Sequence, residues 1–213
     1  MKGTLLLSIV GRGEAEKLMS IAKRAGSPGG TILRGRGTAS SNLMSILCLG
    51  DTRKEILMTL VFDEQYDAVF EAIQNAKHIH GICASLSSKR SYVNRTLHTI
   101  EGVRTMNSDW ELIQVICNSG FAEDVMDVAR KAGAGGGTIV DGRGTSRPDD
   151  LKFFGASLVP EKELLLILVE REKSEKVLGA ITALPFLQQE GNGIAFTMPV
   201  ERFIQFGKKG NNE

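Results

Sequence analysis

The sequence predicts an α+β protein of two tandem ferredoxin-like repeats, each βαββαβ, with antiparallel sheets carrying helices on one face. Three observations lead there. The 17-residue stretch Ala22–Thr38 returns as Ala129–Thr145 at an offset of 107, with 11 positions identical. Apolar runs of strand length alternate with segments whose apolar residues recur every three and four positions. The order strand, helix, strand, strand, helix, strand is the same in both copies. The offset also carries Gly13 onto Gly120, Glu16 onto Glu123 and Met19 onto Met126, and later becomes 108, taking Glu55–Val61 onto Glu163–Val169. The repeats are therefore read as 1–88 and 111–206, with a connector at 89–110 and a tail at 207–213.

Gly3–Val10 and Glu111–Cys117 are the first strands. The start is too short for a membrane helix and is read as a strand rather than a signal peptide. Ala15, Leu18, Met19, Ala22 and Ala25 lie at helical spacing, and their counterparts Ala122, Val125, Met126, Ala129 and Ala132 are all apolar. Gly26 and Gly133 stand where a left-handed cap would end each helix. Second strands begin at Thr31 and Thr138. Third strands, Glu55–Val61 and Glu163–Val169, are apolar almost throughout, which predicts burial on both faces. Tyr66, Val69, Phe70 and Ile73 mark a second helix, matched by Ser174, Val177, Leu178 and Ile181. Last strands are expected at Ile82–Leu86 and Ile194–Met198. The helix-free face of each sheet needs a cover from another domain or chain.

Composition narrows the function. Hydrophobic residues are 42% and charged residues 24%, which fits a folded chain with a core and excludes a mainly disordered one. A net charge of +1 gives no global field toward nucleic acid or an anionic membrane. Cys48, Cys83 and Cys117 are scattered beside apolar residues, as expected of reduced thiols in a cytoplasmic protein.

The chemical feature is Gly35-Arg36-Gly37-Thr38, repeated as Gly142-Arg143-Gly144-Thr145. Glycines allow close backbone approach, so successive N–H groups can converge on an anion. Thr adds a hydroxyl, and Arg adds a forked, permanently charged donor suited to phosphate. A sharp turn with a solvated Arg is the plainer alternative. Arg34 is matched by Asp141, so the two sites are electrostatically unequal. His78 and His80 alternate, and surface polarity explains them better than a metal clip. No Ser/His/Asp or Cys/His set is suitably placed, and no catalytic residue or metal ligand is assigned.

The run of apolar strand, helix, Ala-Gly, Gly-Thr-Ile and Gly-Arg-Gly-Thr resembles the PII nitrogen-regulatory signalling family, in a tandem-duplicated form. The resemblance implies a non-enzymatic regulator that binds ATP, ADP or a similar small anion at clefts between domains. It would relay the bound state to a partner protein, with nitrogen regulation as the setting. The family's long T-loop leaves the end of strand two, where Gly35-Arg36-Gly37 stands. Its glycine-rich B-loop precedes the last strand and is resembled by Glu190–Phe196, which adds Gly191 and Gly193 as walls of the site. Copy one has Lys77–Cys83 there, shorter and poorer in glycine. Neither copy has a tyrosine between its Gly-Arg-Gly and its third strand, so family-style uridylylation at that loop is excluded. The family's ring of domains implies a homo-oligomer with domains in multiples of three.

Two other classes share the strand and helix order. An RNA-binding protein would stack bases on aromatic residues of its central strands, and Glu55–Val61 and Glu163–Val169 have none. A structural oligomer of the divalent-cation-tolerance type shares the fold alone. The expectation is therefore a cytoplasmic sensor with a small-molecule effector, a regulated protein partner, no nucleic acid and no membrane insertion.

Overall fold

The computed structural model describes residues 3–38, 53–87, 90–93, 96–99, 109–144, 152–153, 156–157, 161–189 and 191–206. Thr145, Cys48 and the tail 207–213 lie outside them. The chain forms two compact units. One is built from Met1–Arg34, Arg53–Trp110 and Pro199–Glu213, the other from Gly35–Thr52 and Glu111–Met198. The units thus cut across the sequence repeats: the end of the first copy's second strand belongs to unit two, and the last strand of the chain to unit one.

In unit one, β1 (Gly3–Gly11) leads to α1 (Ala15–Arg24), then β2 (Thr31–Gly37), β3 (Arg53–Phe62), α2 (Asp63–Gln74) and β4 (Gly81–Ser87). β2 runs on through Gly35, Arg36 and Gly37 as extended chain, so the glycine motif of copy one is strand rather than turn. β1 is central and antiparallel to β3 and β4, the ferredoxin-like order β2-β3-β1-β4. Register puts Leu6 and Val10 on the same face as Leu57 and Val61. There they bury against Leu18 and Ala22 of α1 and Val69, Phe70 and Ile73 of α2.

A further strand, β13 (Arg202–Phe206), extends this sheet beside β4. It alternates as a half-buried strand should, with Ile204 and Phe206 inward. Its Arg202 lies 3.7 Å over the Phe70 ring and 3.2 Å from Asp67, which ties the strand to α2. The connector contains a hairpin of β5 (Arg90–Val93) and β6 (Thr96–Thr99).

Unit two repeats the plan with β7 (Trp110–Asn118), α3 (Ala122–Ala132), β8 (Thr138–Arg143), β11 (Glu161–Glu170), α4 (Arg171–Thr182) and β12 (Gly193–Val200). Its order is β12-β7-β11-β8, with the end of β2 beyond β8. A short hairpin of β9 (Lys152–Phe153) and β10 (Ala156–Ser157) precedes β11. The core residues are the counterparts of the first: Ile113 for Leu6, Cys117 for Val10, Val125 for Leu18, Leu165 for Leu57 and Ile181 for Ile73. That match places both copies in one ferredoxin-like fold. The third strands are buried on both faces, as their composition predicts: Ile56 and Leu57 in one, Leu165 and Leu166 in the other. The helix caps also follow the sequence, since Gly26 and Gly133 have φ of 103° and 118°.

Candidate functional site

Neither α1 nor α3 has a capping hydrogen bond from its N-cap side chain. The free N–H groups of the first turn are met instead by a carboxylate from the third strand. Glu55 Oε2 accepts from Ala15 N at 3.1 Å. In unit two, Glu163 Oε2 accepts from Gly120 N and Ala122 N at 3.0 and 3.1 Å. A negative charge at this end also suits the helix dipole. Glu163 is nearly fully buried, which its hydrogen bonds make tolerable.

The other oxygen of Glu163 takes Arg36. Arg36 Nη2 donates to Glu163 Oε1 at 2.9 Å, and Nη1 lies 3.8 Å from Glu123. Beside it Thr38 bonds Gly137 on both sides: its N and Oγ1 donate to Gly137 O, and Gly137 N donates back to Thr38 Oγ1. Arg130 Nη2 closes on Thr38 O at 2.7 Å. Arg36 and Gly37 pair in the ladder with Ile139 and Thr138. The copy-one quartet Gly35, Arg36, Gly37 and Thr38 is therefore a docked strand end, with its Arg and Thr donors spent on the chain itself. Gly137 itself has no room for a side chain, since a Cβ there would lie 2.9 Å from both Leu165 Cδ1 and Met126 Sδ of the core.

The copy-two quartet is different. Gly142 and Arg143 end β8 and are exposed, and Gly144 follows them. Among the described residues Arg143 has no side-chain partner. Gly142 lies opposite Lys162 in the ladder, and Arg143 lies opposite Glu161. Lys162 Nζ donates to Gly191 O at 3.0 Å and to Asn118 Oδ1 at 2.5 Å. Lys162 thus pairs by its backbone with Gly142 on β8 and by its ammonium, on the β7 side, with the Gly191-Asn192-Gly193 loop. Asn192 fastens that loop further: Asn118 Nδ2 donates to its Oδ1 at 3.2 Å, and its own Nδ2 donates to Phe186 O at 3.0 Å. Gly191 has φ of 85°, and a Cβ on Gly193 would lie 2.7 Å from Ile116 O, so both positions need glycine.

The copy-one loop is organised otherwise. Glu14 accepts from His80 N and faces the His80 ring, 2.9 Å in each case, and also accepts from Gly11 N. His80 is thus partnered by a carboxylate, and the described residues contain no cluster of metal-ligating side chains.

The sequence profile of the family "Nitrogen regulatory protein P-II" matches residues 110–209. That segment, the second repeat with its flanks, is a match to the PII family over just under half of the chain. The first repeat is related to that segment by the internal identity of Ala22–Thr38 with Ala129–Thr145. No curated protein sequence matches the chain. Among solved structures, a PII-like signalling protein of Thermus thermophilus is similar at 18% identity and a TM-score of 0.32, over 45% of this chain and 86% of that one. CPII of Thiomonas intermedia, bound to ADP, AMP and acetate, is similar at 18% identity and a TM-score of 0.31, over 46% and 89%. A protein of Galdieria sulphuraria is similar at 12% identity and a TM-score of 0.32, over 94% and 99%.

The motif reading passed over Lys162, whose backbone pairs with Gly142 on one side and whose ammonium reaches Asn118 and Gly191 O on the other. Lys162 has a sequence signal, since it repeats Lys54 just ahead of the Glu55 and Glu163 pair. Asn118 has none, because its counterpart is Gly11.

Proposed function

We propose that the chain is a PII-type regulator whose second unit binds a small anion, with an adenine nucleotide as the first choice, at the edge formed by Gly142, Gly144, Gly191 and Lys162. The observation that carries this reading is Lys162, which pairs beside Gly142 and holds Gly191 O. Two of its three ammonium hydrogens are engaged, and the third is available to a phosphate or carboxylate oxygen. The glycines leave the backbone approachable on both sides. Asp141 and Glu161 stand close by in the ladders, so the site favours a ligand that brings its own negative charge to Lys162 rather than a diffuse anion cloud.

Copy one does not offer the same edge, because Arg36 and Thr38 are committed to Glu163 and Gly137. We therefore assign effector binding to copy two. Binding would add contacts to the Gly191–Gly193 loop and shift the population of the loops around it. A regulated protein would read that shift, with no bond made or broken. Nitrogen regulation is the setting the family suggests for it.

A thermal-shift screen with ATP, ADP, AMP, cyclic nucleotides and small dicarboxylates tests the proposal. A ligand at a hundred times its Kd stabilises the folded state by about 2.7 kcal/mol, a readable shift in Tm. At least one adenine nucleotide is expected to raise Tm in proportion to the logarithm of its concentration. If none of these anions moves Tm, the effector reading fails.

A further inference from the structure

The two repeats differ where the first helix begins beside the loop that precedes the last strand. In both, the end of the first strand bonds to that loop: Gly11 N donates to His80 O, and Asn118 N donates to Asn192 O. Glu14 and Phe121 are equivalent as well, each just ahead of its helix. In unit one the place is filled by the Glu14 carboxylate, 15% exposed and bonded to His80 N and the His80 ring. In unit two an aromatic pair stands there. The Phe121 and Phe186 ring centroids are 4.5 Å apart, with the planes tilted by 31°. Phe186 comes from the longer loop of copy two, ten residues (183–192) against six (75–80).

The ring pair is a fixed ledge beside Lys162. Phe186 packs against the core of unit two, and its O accepts from Asn192 Nδ2 at 3.0 Å. Phe121 N donates to Asn118 O at 3.3 Å. Asn118 Nδ2 donates to Asn192 Oδ1, and Asn118 Oδ1 takes the Lys162 ammonium. The rings and the ammonium are therefore the two ends of one short hydrogen-bonded chain through Asn118 and Asn192. Phe121 is 36% exposed, so an apolar ring faces water close to a cationic group. The turn itself does not require an aromatic residue, because Glu14 serves it in unit one.

We propose that Phe121, backed by Phe186, is the stacking surface for the base of a nucleotide whose phosphate meets Lys162. This rests on the effector reading above and adds to it the residues that choose an aromatic ligand. Lys162 attracts any compact anion, whereas the rings distinguish one that carries a flat π system. Stacking is strongest on a ring held in place before the ligand arrives, and Phe186 supplies that hold. Every base presents a π face, so the ledge separates nucleotides from inorganic anions and small dicarboxylates. Copy one has Glu14 and His80 at this position, so the ledge and the effector edge occur together in the same unit.

Calorimetric titration of the full chain tests this with ATP, ADP and AMP, and with inorganic tripolyphosphate as an anion that has no ring. Phe121→Leu keeps the apolar bulk and removes the ring. It should weaken the tightest of the three nucleotides roughly tenfold and leave tripolyphosphate unchanged. Phe196→Leu removes another exposed ring of unit two, on β12 and away from the ledge, and should leave both ligands unchanged. Phe121→Trp gives a second measurement that does not depend on Phe121→Leu folding. Its added indole emission, relative to the wild type with Trp110 alone, should be quenched by the nucleotide and not by tripolyphosphate. Nucleotide affinity that falls in Lys162→Met but not in Phe121→Leu overturns this inference and leaves the effector reading standing. So does an equal loss of tripolyphosphate binding in Phe121→Leu, or unquenched emission from Phe121→Trp at saturation. A wild type that binds none of the three nucleotides overturns both.

Discussion

Removing the Arg36–Glu163 pair is the sharpest test of what the glycine-arginine motif of copy one does. The Glu163 carboxylate is only 5% exposed and Arg36 is 37% exposed, at an N–O distance of 2.9 Å. A charge-assisted hydrogen bond is worth about 1.5–3 kcal/mol, and a fully exposed pair about 1 kcal/mol or less. The half-open arginine places this pair between the two, so Arg36→Met should cost about 2 kcal/mol. Glu163→Gln keeps an acceptor for Gly120 N and Ala122 N but loses the charge that faces the start of α3, about 0.3–1 kcal/mol in addition. The double variant should cost less than the sum, with a coupling of about 1–2 kcal/mol. Urea unfolding followed by circular dichroism measures this, provided that the transition through which unit two melts is two-state. A coupling within the roughly 0.3–0.5 kcal/mol seen for independent sites would mean that Arg36 is a solvated side chain and that the docked strand end is held by its backbone alone.

Three further outcomes follow from single residues. Burial raises the Glu14 carboxyl, but hydrogen bonds from the His80 ring, His80 N and Gly11 N outweigh it and hold the group below its ordinary value of 4.5. Its stabilising effect is therefore complete above 4.5 and is lost as pH falls through the lower folded value, so Glu14→Gln should flatten the acid limb of the urea midpoint against pH. A limb as steep as in the wild type would count against this assignment. Burial pushes the Cys83 and Cys117 thiols up to about 11. Roughly one thiol in a thousand is then thiolate at about pH 8, and both should resist iodoacetamide in the folded protein and react after denaturation. Gly193→Ala would drive a Cβ into Ile116 O and Leu187, which overpacking puts at about 1–3 kcal/mol, read as a lower Tm and weaker effector binding. An unchanged Tm would show that the loop can shift at little cost.

The fold was legible because it is written twice. Periodicity alone places Leu18, Met19 and Ala22 on one helix face, and the repetition of that face at Val125, Met126 and Ala129 removes the ambiguity of a single short pattern. What was not legible depends on partners far along the chain. Gly35 and Gly37 suggest a turn when read locally, yet they are extended, because the Thr138–Ile139 strand is there to pair with them. Glu55 and Glu163 look like polar strand starts, and their capping role needs a helix N-terminus about 40 residues earlier. β13 does have a local signal, the alternation of Arg202, Phe203, Ile204, Gln205 and Phe206. Its place beside β4, though, is set by pairing with Gly81–Ser85, across more than half the chain. The proposed site is mixed: its glycines are visible in the motif and Lys162 repeats Lys54, while the reach of Lys162 to Asn118 and Gly191 O is set only in three dimensions.

The most direct test of effector binding is calorimetric titration of ATP, ADP and AMP into the wild type and into Lys162→Met. The wild type should bind at least one of them saturably. The variant, which lacks one charge-assisted bond of about 1.5–3 kcal/mol and the tether on Gly191, should bind that ligand roughly tenfold or more weakly. Equal affinity in wild type and variant would place any nucleotide away from Lys162, and no saturable heat with any of the three would contradict adenine-nucleotide sensing by this chain.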